Sequence, residues 1–186
     1  MAETSPGASD PGDRAPRIGR DGARLVARPS AALVSLRARG DACARAARRL
    51  QLPALPGPNE VAASVLGDCL WLRPDEWLVA APLASLAANL EALNGAVASA
   101  HGAAIDISAS RGILELSGHA SRDVLAGCCA IDLHPRVFTP ARCAQTLIAK
   151  APVLLHLVDA APTWRLYVRP SHMAYVLGWL HEGMPE

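Results

Sequence analysis

Short apolar runs, alternately of strand-like and helix-like period, follow one another from residue 31 to the C-terminus, each cut off by proline, glycine or asparagine. That rhythm leaves few folds open. ALVSLRARG (residues 32–40) reads as a strand, and Asp41 is placed to cap a helix that turns Cys43, Ala46, Ala47 and Leu50 inward. After the connector LPALPGPN, DCLWL and EWLVA form a hairpin around Arg73-Pro74-Asp75, with proline fixing φ in the turn. Leu83, Leu86, Ala87, Leu90 and Leu93 make one helical face, which Asn94-Gly95 is expected to end.

The second half repeats the pattern. AIDIS (residues 104–108) alternates, with Ile105 and Ile107 on one face, and RGILELSG is expected beside it. A helix starting near Ser117-Gly118 carries Ala120, Val124, Leu125 and Cys128 inward. TLIAK and VLLHLVDA pair through Ala151-Pro152, TWRLYVR adds a third strand, and a last helix capped by Ser171 holds Val176, Leu177, Trp179 and Leu180. This order specifies an α+β fold: antiparallel sheets with helices on one face, in two ferredoxin-like halves. Residues 1–24 lack a hydrophobic period and read as a flexible arm. The expected domain covers residues 25–186, with subdomains of about 25–100 and 101–186.

Composition removes several function classes. Of 186 residues, 51% are hydrophobic, which is enough for a core. A net charge of +1 creates no long-range field for nucleic acid or anionic lipid. Apolar runs stop far short of the roughly 20 residues that span a bilayer. The N-terminal segment has no apolar stretch, and Glu3, Asp10, Asp13 and Asp21 argue against a transit peptide, so a cytoplasmic location is expected. Cys43, Cys69, Cys128, Cys129 and Cys143 are odd in number and contain no CxxC, as reduced buried thiols would be.

The candidate chemistry is sparse. Asp75 and Glu76 could act as acid and base, but a proline turn should let water reach both, so Asp75 is read as a turn residue and Trp77 as a buried ring. CCAIDLHP offers a thiol, a carboxylate and an imidazole, yet Cys128 points inward and Asp132 and His134 belong to a solvated segment. His101, His119, His134, His156, His172 and His181 show no metal-ligand spacing, and there is no phosphate-binding glycine loop. DISASR gathers Asp106, Ser108 and Arg111 into a small polar cluster suited to a partner contact. Trp179, in a chain poor in aromatics, is a second interface candidate. No catalytic, cofactor-binding or metal residue is assigned.

LWLRPDEWLV, then DISASRGILELSGHASRDVLAGCCAIDLHPRVF, CAQT and YVRPSHMAYVLGWL, occur in an order that resembles the gamma subunits of bacterial heterotetrameric sarcosine oxidase. The likeness runs from about residue 50 to the end. It implies a fold similar to the folate-binding aminomethyltransferases (glycine-cleavage T proteins). It also implies a non-catalytic place in a complex that oxidises sarcosine to glycine, hydrogen peroxide and formaldehyde or 5,10-methylenetetrahydrofolate. FAD, FMN, NAD and tetrahydrofolate would then belong to the alpha and beta chains, zinc to delta, and none to this chain, which alone would be inactive. The aminomethyltransferases carry an Asp-Asp pair where this chain reads LIAKAPVLLHLV, so their activity is not carried over. The alternatives are a stand-alone folate-binding or one-carbon transfer protein, with Asp106 or Asp159 as its carboxylate, and a subunit of a related N-methyl amino acid dehydrogenase.

Overall fold

The computed structural model describes residues 17–185. Strands β1 (Arg17–Arg20), β2 (Ala23–Ala27) and β3 (Ala31–Arg37) lead into helix α1 (Asp41–Leu50). Then come β4 (Val61–Ser64), β5 (Gly67–Arg73), β6 (Glu76–Pro82), α2 (Leu86–Val97) and β7 (Ala103–Asp106). β8 (Gly112–Ser117), α3 (Ser121–Ala126), β9 (Arg142–Ile148), β10 (Ala151–Asp159), β11 (Thr163–Val168) and α4 (Met173–Glu182) complete the order.

Two antiparallel sheets result, ordered β4-β5-β6-β3-β7 and β1-β2-β8-β11-β10-β9. They are two versions of one plan. In the first, strand, helix, edge strand, hairpin, helix and strand run from β3 to β7. The second runs in the same order from β8 to α4, with no last strand among the described residues. β2 occupies the place that β7 holds in the first sheet, beside the strand that opens the repeat. The fold is therefore α+β, with two ferredoxin-like halves, one of them closed by a strand from the other end of the chain.

This corrects the expectation of a flexible arm over residues 1–24. Residues 17–24 contribute to β1 and β2, while residues 1–16 lie outside the described residues. Ala23 and Leu25 are buried among Leu114, Leu116, Trp164 and Leu166, a burial that offsets the entropy of ordering the segment. Gly22 and Gly118, both at positive φ, hold the approach: Ala120 N–H donates to Gly22 O at 2.9 Å, and a Cβ on Gly118 would lie 2.3 Å from that oxygen. The sheets also divide the chain differently from a cut near residue 100, because β7 pairs with β3 in the first sheet.

Each sheet is covered by helices on one face and by the other sheet on the opposite face. α1 and α2 pack on Val34, Leu36, Trp77 and Val79; α3 and α4 pack on Leu114, Leu155, Trp164 and Leu166. Between the sheets, Leu33, Leu70, Leu72 and Leu78 meet Ile113, Cys143, Leu154 and Tyr167. The order is helix, sheet, sheet, helix.

Several local expectations change for physical reasons. Helix α2 does not end at Asn94-Gly95 but runs to Val97. Asn94 stays helical and its carboxamide both donates to Ala104 O and accepts from Ala104 N–H, each at 2.9 Å, which blocks the outer edge of β7. RGILELSG is not beside AIDIS, since β8 joins the other sheet. Ile105 is exposed, whereas Ile107 packs between the sheets. The β9–β10 turn is at Ala149-Lys150, with Ala149 left-handed, so Ala151 and Pro152 already lie in strand. Gly40 rather than Asp41 precedes α1, and His172 rather than Ser171 precedes α4, both without a side-chain cap.

Two stability outcomes follow. Trp77 is buried and its indole N–H donates to Pro56 O at 2.9 Å; Trp77→Ala should cost about 3–5 kcal/mol, read by denaturant unfolding. A chain begun at Arg28 loses β1 and β2 and bares the edge of β8, so it should give insoluble or non-cooperatively melting protein by circular dichroism.

Candidate functional site

A cleft of about 500 Å³ opens between the two sheets, bounded by Arg28, Gly67, Asp68, Ile113, Arg165 and Tyr167. The register of the larger sheet builds one wall. Arg165 on β11 stands opposite Glu115 on β8 and His156 on β10, and His156 stands opposite Cys143 on β9. From the facing sheet, Asp68 enters on β5 just after Gly67, whose φ of 124° is strained for any other residue.

The charges that line this cleft, Arg28, Asp68 and Arg165, are engaged with one another and with Glu115 beside it. Arg165 Nη1 lies 3.2 Å from Asp68 Oδ2 and its Nε 3.5 Å from Glu115 Oε2, while Arg28 Nε approaches Glu115 at 3.8 Å. Two cations balance two carboxylates, and an ion pair links the sheets. Burial pushes the Tyr167 phenol up to about 12. His156 is 3% exposed and its Nδ1 has no hydrogen-bond partner among the described residues. Burial, reinforced by the charge of Arg165 and only partly opposed by Asp68, lowers its pKa to about 4.

None of Asp68, Glu115, Arg165 and His156 was singled out as a site residue from the sequence, which nominated Asp106 and Asp159 as folate carboxylates. Neither of those two lines the cleft. Asp106 Oδ1 accepts from Ser108 N–H at 2.8 Å and Ser108 Oγ at 2.6 Å, and Asp159 Oδ1 accepts from Thr163 N–H at 3.1 Å. A signal existed: His156 is the one polar residue within VLLHLV, and Glu115 and Arg165 fall on alternating strand positions.

The remaining clusters resolve into architecture. Asp75 pairs with Arg39, 3.0 Å from its Nε. Glu76, expected to be wet, is buried: Ser35 Oγ donates to its Oε1 at 2.7 Å, Arg73 donates from Nε and Nη2 to its Oε2, and Arg37 stands 3.6 Å away. Burial alone would raise the Glu76 pKa, but these hydrogen bonds and charges together hold it below the usual carboxylate range. Cys128 Sγ donates to the carbonyls of Val124 and Leu125, and burial, with Cys129 beside it, raises its pKa to about 11. Asp132 Oδ1 accepts from His134 N–H, and His134 Nδ1 accepts from Arg136 N–H, both inside one exposed turn. Of the DISASR cluster, Asp106 and Ser108 come together and Arg111 stays apart. Trp179 is exposed on α4, with Tyr175 in edge contact at 6.3 Å. Among the described residues, no three His, Cys, Asp or Glu side chains are placed to hold a metal ion.

Residues 38–186 match the Sarcosine oxidase, gamma subunit family. The chain belongs to that family. It is 40% identical to the sarcosine oxidase subunit gamma of Corynebacterium sp. (strain U-96) over 148 residues, 79% of this chain and 70% of that protein. The strain P-1 counterpart is 42% identical over 68% of this chain and 61% of its own length. The fold superposes on a chain of the heterotetrameric sarcosine oxidase from Corynebacterium sp. U-96, solved with pyrrole 2-carboxylate. The TM-score is 0.80 with 35% identity, over 89% of this chain and 85% of that one. It also superposes on aminomethyltransferase T of the glycine cleavage system from Bartonella henselae, at a TM-score of 0.69 and 13% identity, over 87% of this chain and 46% of that one. At that identity only the fold is shared. The expected aminomethyltransferase-like fold is thus found, with the family expected from the motifs.

His156 makes a pH prediction for this gamma-family chain. Its folded pKa of about 4 lies below the ordinary 6.5, so its contribution is full above pH 6.5 and shrinks as pH falls toward 4, by about 3 kcal/mol in total. His156→Gln should flatten the stability profile across that window in urea unfolding measured at stepped pH.

Proposed function

We propose that this chain is a non-catalytic structural subunit of a heterotetrameric sarcosine oxidase. The supporting observation is its superposition, over 89% of its length, on a chain of such an enzyme. In the complex, sarcosine is oxidatively demethylated to glycine with oxygen as acceptor, yielding hydrogen peroxide and formaldehyde or 5,10-methylenetetrahydrofolate. The reading assigns the chemistry to alpha, beta and delta partner chains, which carry FAD, FMN, NAD, tetrahydrofolate and zinc.

The internal organisation of this chain supports a supporting role. The carboxylates in its cleft are held by arginines, and its imidazole there is sealed and neutral near pH 7. What faces outward is suited to contact: Asp106 on an exposed turn with Ser108 bound to it, and the Tyr175–Trp179 pair on α4; Arg111, at the end of the larger sheet, is partly exposed. The proposed setting is the cytoplasm. No described helix is long and apolar enough to cross a membrane.

Purified from its native host with a tag, the chain should bring down larger, flavin-coloured chains across an interface beyond about 1,000 Å². Recovery of the chain alone contradicts the assignment. Trp179→Ala should lower the recovered flavin absorbance per tag while leaving the fold of this chain intact, because the ring is exposed. Titration with tetrahydrofolate separates the stand-alone folate reading: the isolated chain should give no saturable heat.

A further inference from the structure

The end of the larger sheet holds an unexplained charge arrangement. Gly112 of β8 is paired with Val168 of β11, so Arg111 and Arg169 stand opposite each other one step beyond that pair. Both follow the side-chain alternation of Ile113 and Tyr167, toward the neighbouring sheet. Directly opposed like charges destabilise a sheet. One step beyond the last β10–β11 pair, Val153 with Val168, Arg169 comes opposite Pro152, which is paired with Leu147, so the row runs from two cations to two apolar residues.

This row borders a groove of about 330 Å³ whose lining includes Arg111, Arg169, Gln145, Thr146, Leu147 and Pro152. The two arginines have no acidic partner among the described residues. Asp106, the acid nearest to Arg111 in sequence, is bound to Ser108. Glu76, whose charge reaches Arg111, already accepts from Ser35 on one oxygen and from Arg73 on the other, with Arg37 beside it. Arg111 is partly buried, and its burial together with the charge of Arg169 lowers its pKa from the ordinary arginine value. Gln145 is pinned by donating to Leu72 O at 2.6 Å, which fixes the groove floor. A guanidinium partly withdrawn from water, opposite a second one and with its nearby acids engaged, lacks a counter-ion among the described residues.

We infer that Arg111 and Arg169 form a carboxylate-binding site, which takes a small free dicarboxylate or an Asp or Glu side chain of another polypeptide. Two planar forks suit carboxylate oxygens, and the flanking Leu147 and Pro152 accommodate the methylenes behind the acid. The site is built by this chain alone, so its test is independent of the subunit assignment.

The full chain is titrated calorimetrically with glutarate and with an acetylated tetraglutamate amide, using glutaramide and the tetraglutamine peptide as neutral controls. Saturable binding of an acidic probe, weakened by added salt, is expected, with Arg169→Gln and Arg111→Gln each raising Kd by about tenfold or more. Arg169 is exposed, so its variant retains the fold, and Arg136→Gln, an exposed arginine in a different turn, should change nothing. Binding of glutarate identifies a free acid as sufficient; binding of the peptide alone identifies an acid borne on a chain. Failure of both acidic probes, equal binding of the neutral controls, or binding that survives Arg169→Gln overturns the inference.

Discussion

The pairing of β2 with β8 is the constraint on which the rest of the molecule depends. The half built from residues 112–185 contains the strands, the hairpin and both helices of its repeat, but lacks the strand that would flank β8. The N-terminal strand supplies it, and Leu25 closes the core formed by Leu114, Leu116, Trp164 and Leu166. The whole first sheet is thereby threaded between β2 and β8, so the second half is not finished until the chain has folded back across the first. Closing so long a loop costs little more entropy than closing a moderate one, because the cost grows only logarithmically, and the buried leucine face offsets it.

The inter-sheet layer follows from that closure. Two open sheets, each covered by helices on one side, leave two apolar faces that solvent would otherwise wet. Leu33, Leu70 and Leu78 against Ile113, Leu154 and Tyr167 remove them. The faces fit imperfectly at one margin, where a cleft remains and polar side chains enter it. Asp68, Arg165, Glu115 and Arg28 form a chain of ion pairs there, and His156 is sealed beneath in its neutral form. This arrangement welds the halves electrostatically and leaves the charged groups of the cleft paired with one another. In a fold shared with aminomethyltransferases, it describes a molecule whose inner polar residues serve cohesion while its edges and helix surfaces are free for contacts.

Much of this was legible in the residues. The hairpin around Arg73-Pro74-Asp75, the stripe of α2 and the three consecutive strands of the second half are local patterns, and local patterns are set by period and turn chemistry. The motif order from LWLRPDEWLV onward pointed to the family that the comparisons establish. Residues 17–24 were illegible because their strands are stabilised by a neighbour some 90 positions away, which no window along the chain contains. Asn94 was misread for a related reason. Its sequence context signals a helix end, but its side chain is recruited by the edge of β7, a contact that exists only once the sheet is formed.

The sequence by itself determined the alternation of elements, the α+β class and the sites of the sharp turns, since proline geometry and apolar periodicity act within a few residues. Only the tertiary structure decided which strand completes which sheet, that Glu76 is buried among arginines, and that Asp68 meets Arg165 across two sheets. It also decided that Arg111 faces Arg169 instead of Asp106. Those outcomes depend on register and sheet order, long-range quantities fixed by burying two large apolar faces together, and no short stretch of residues carries that information.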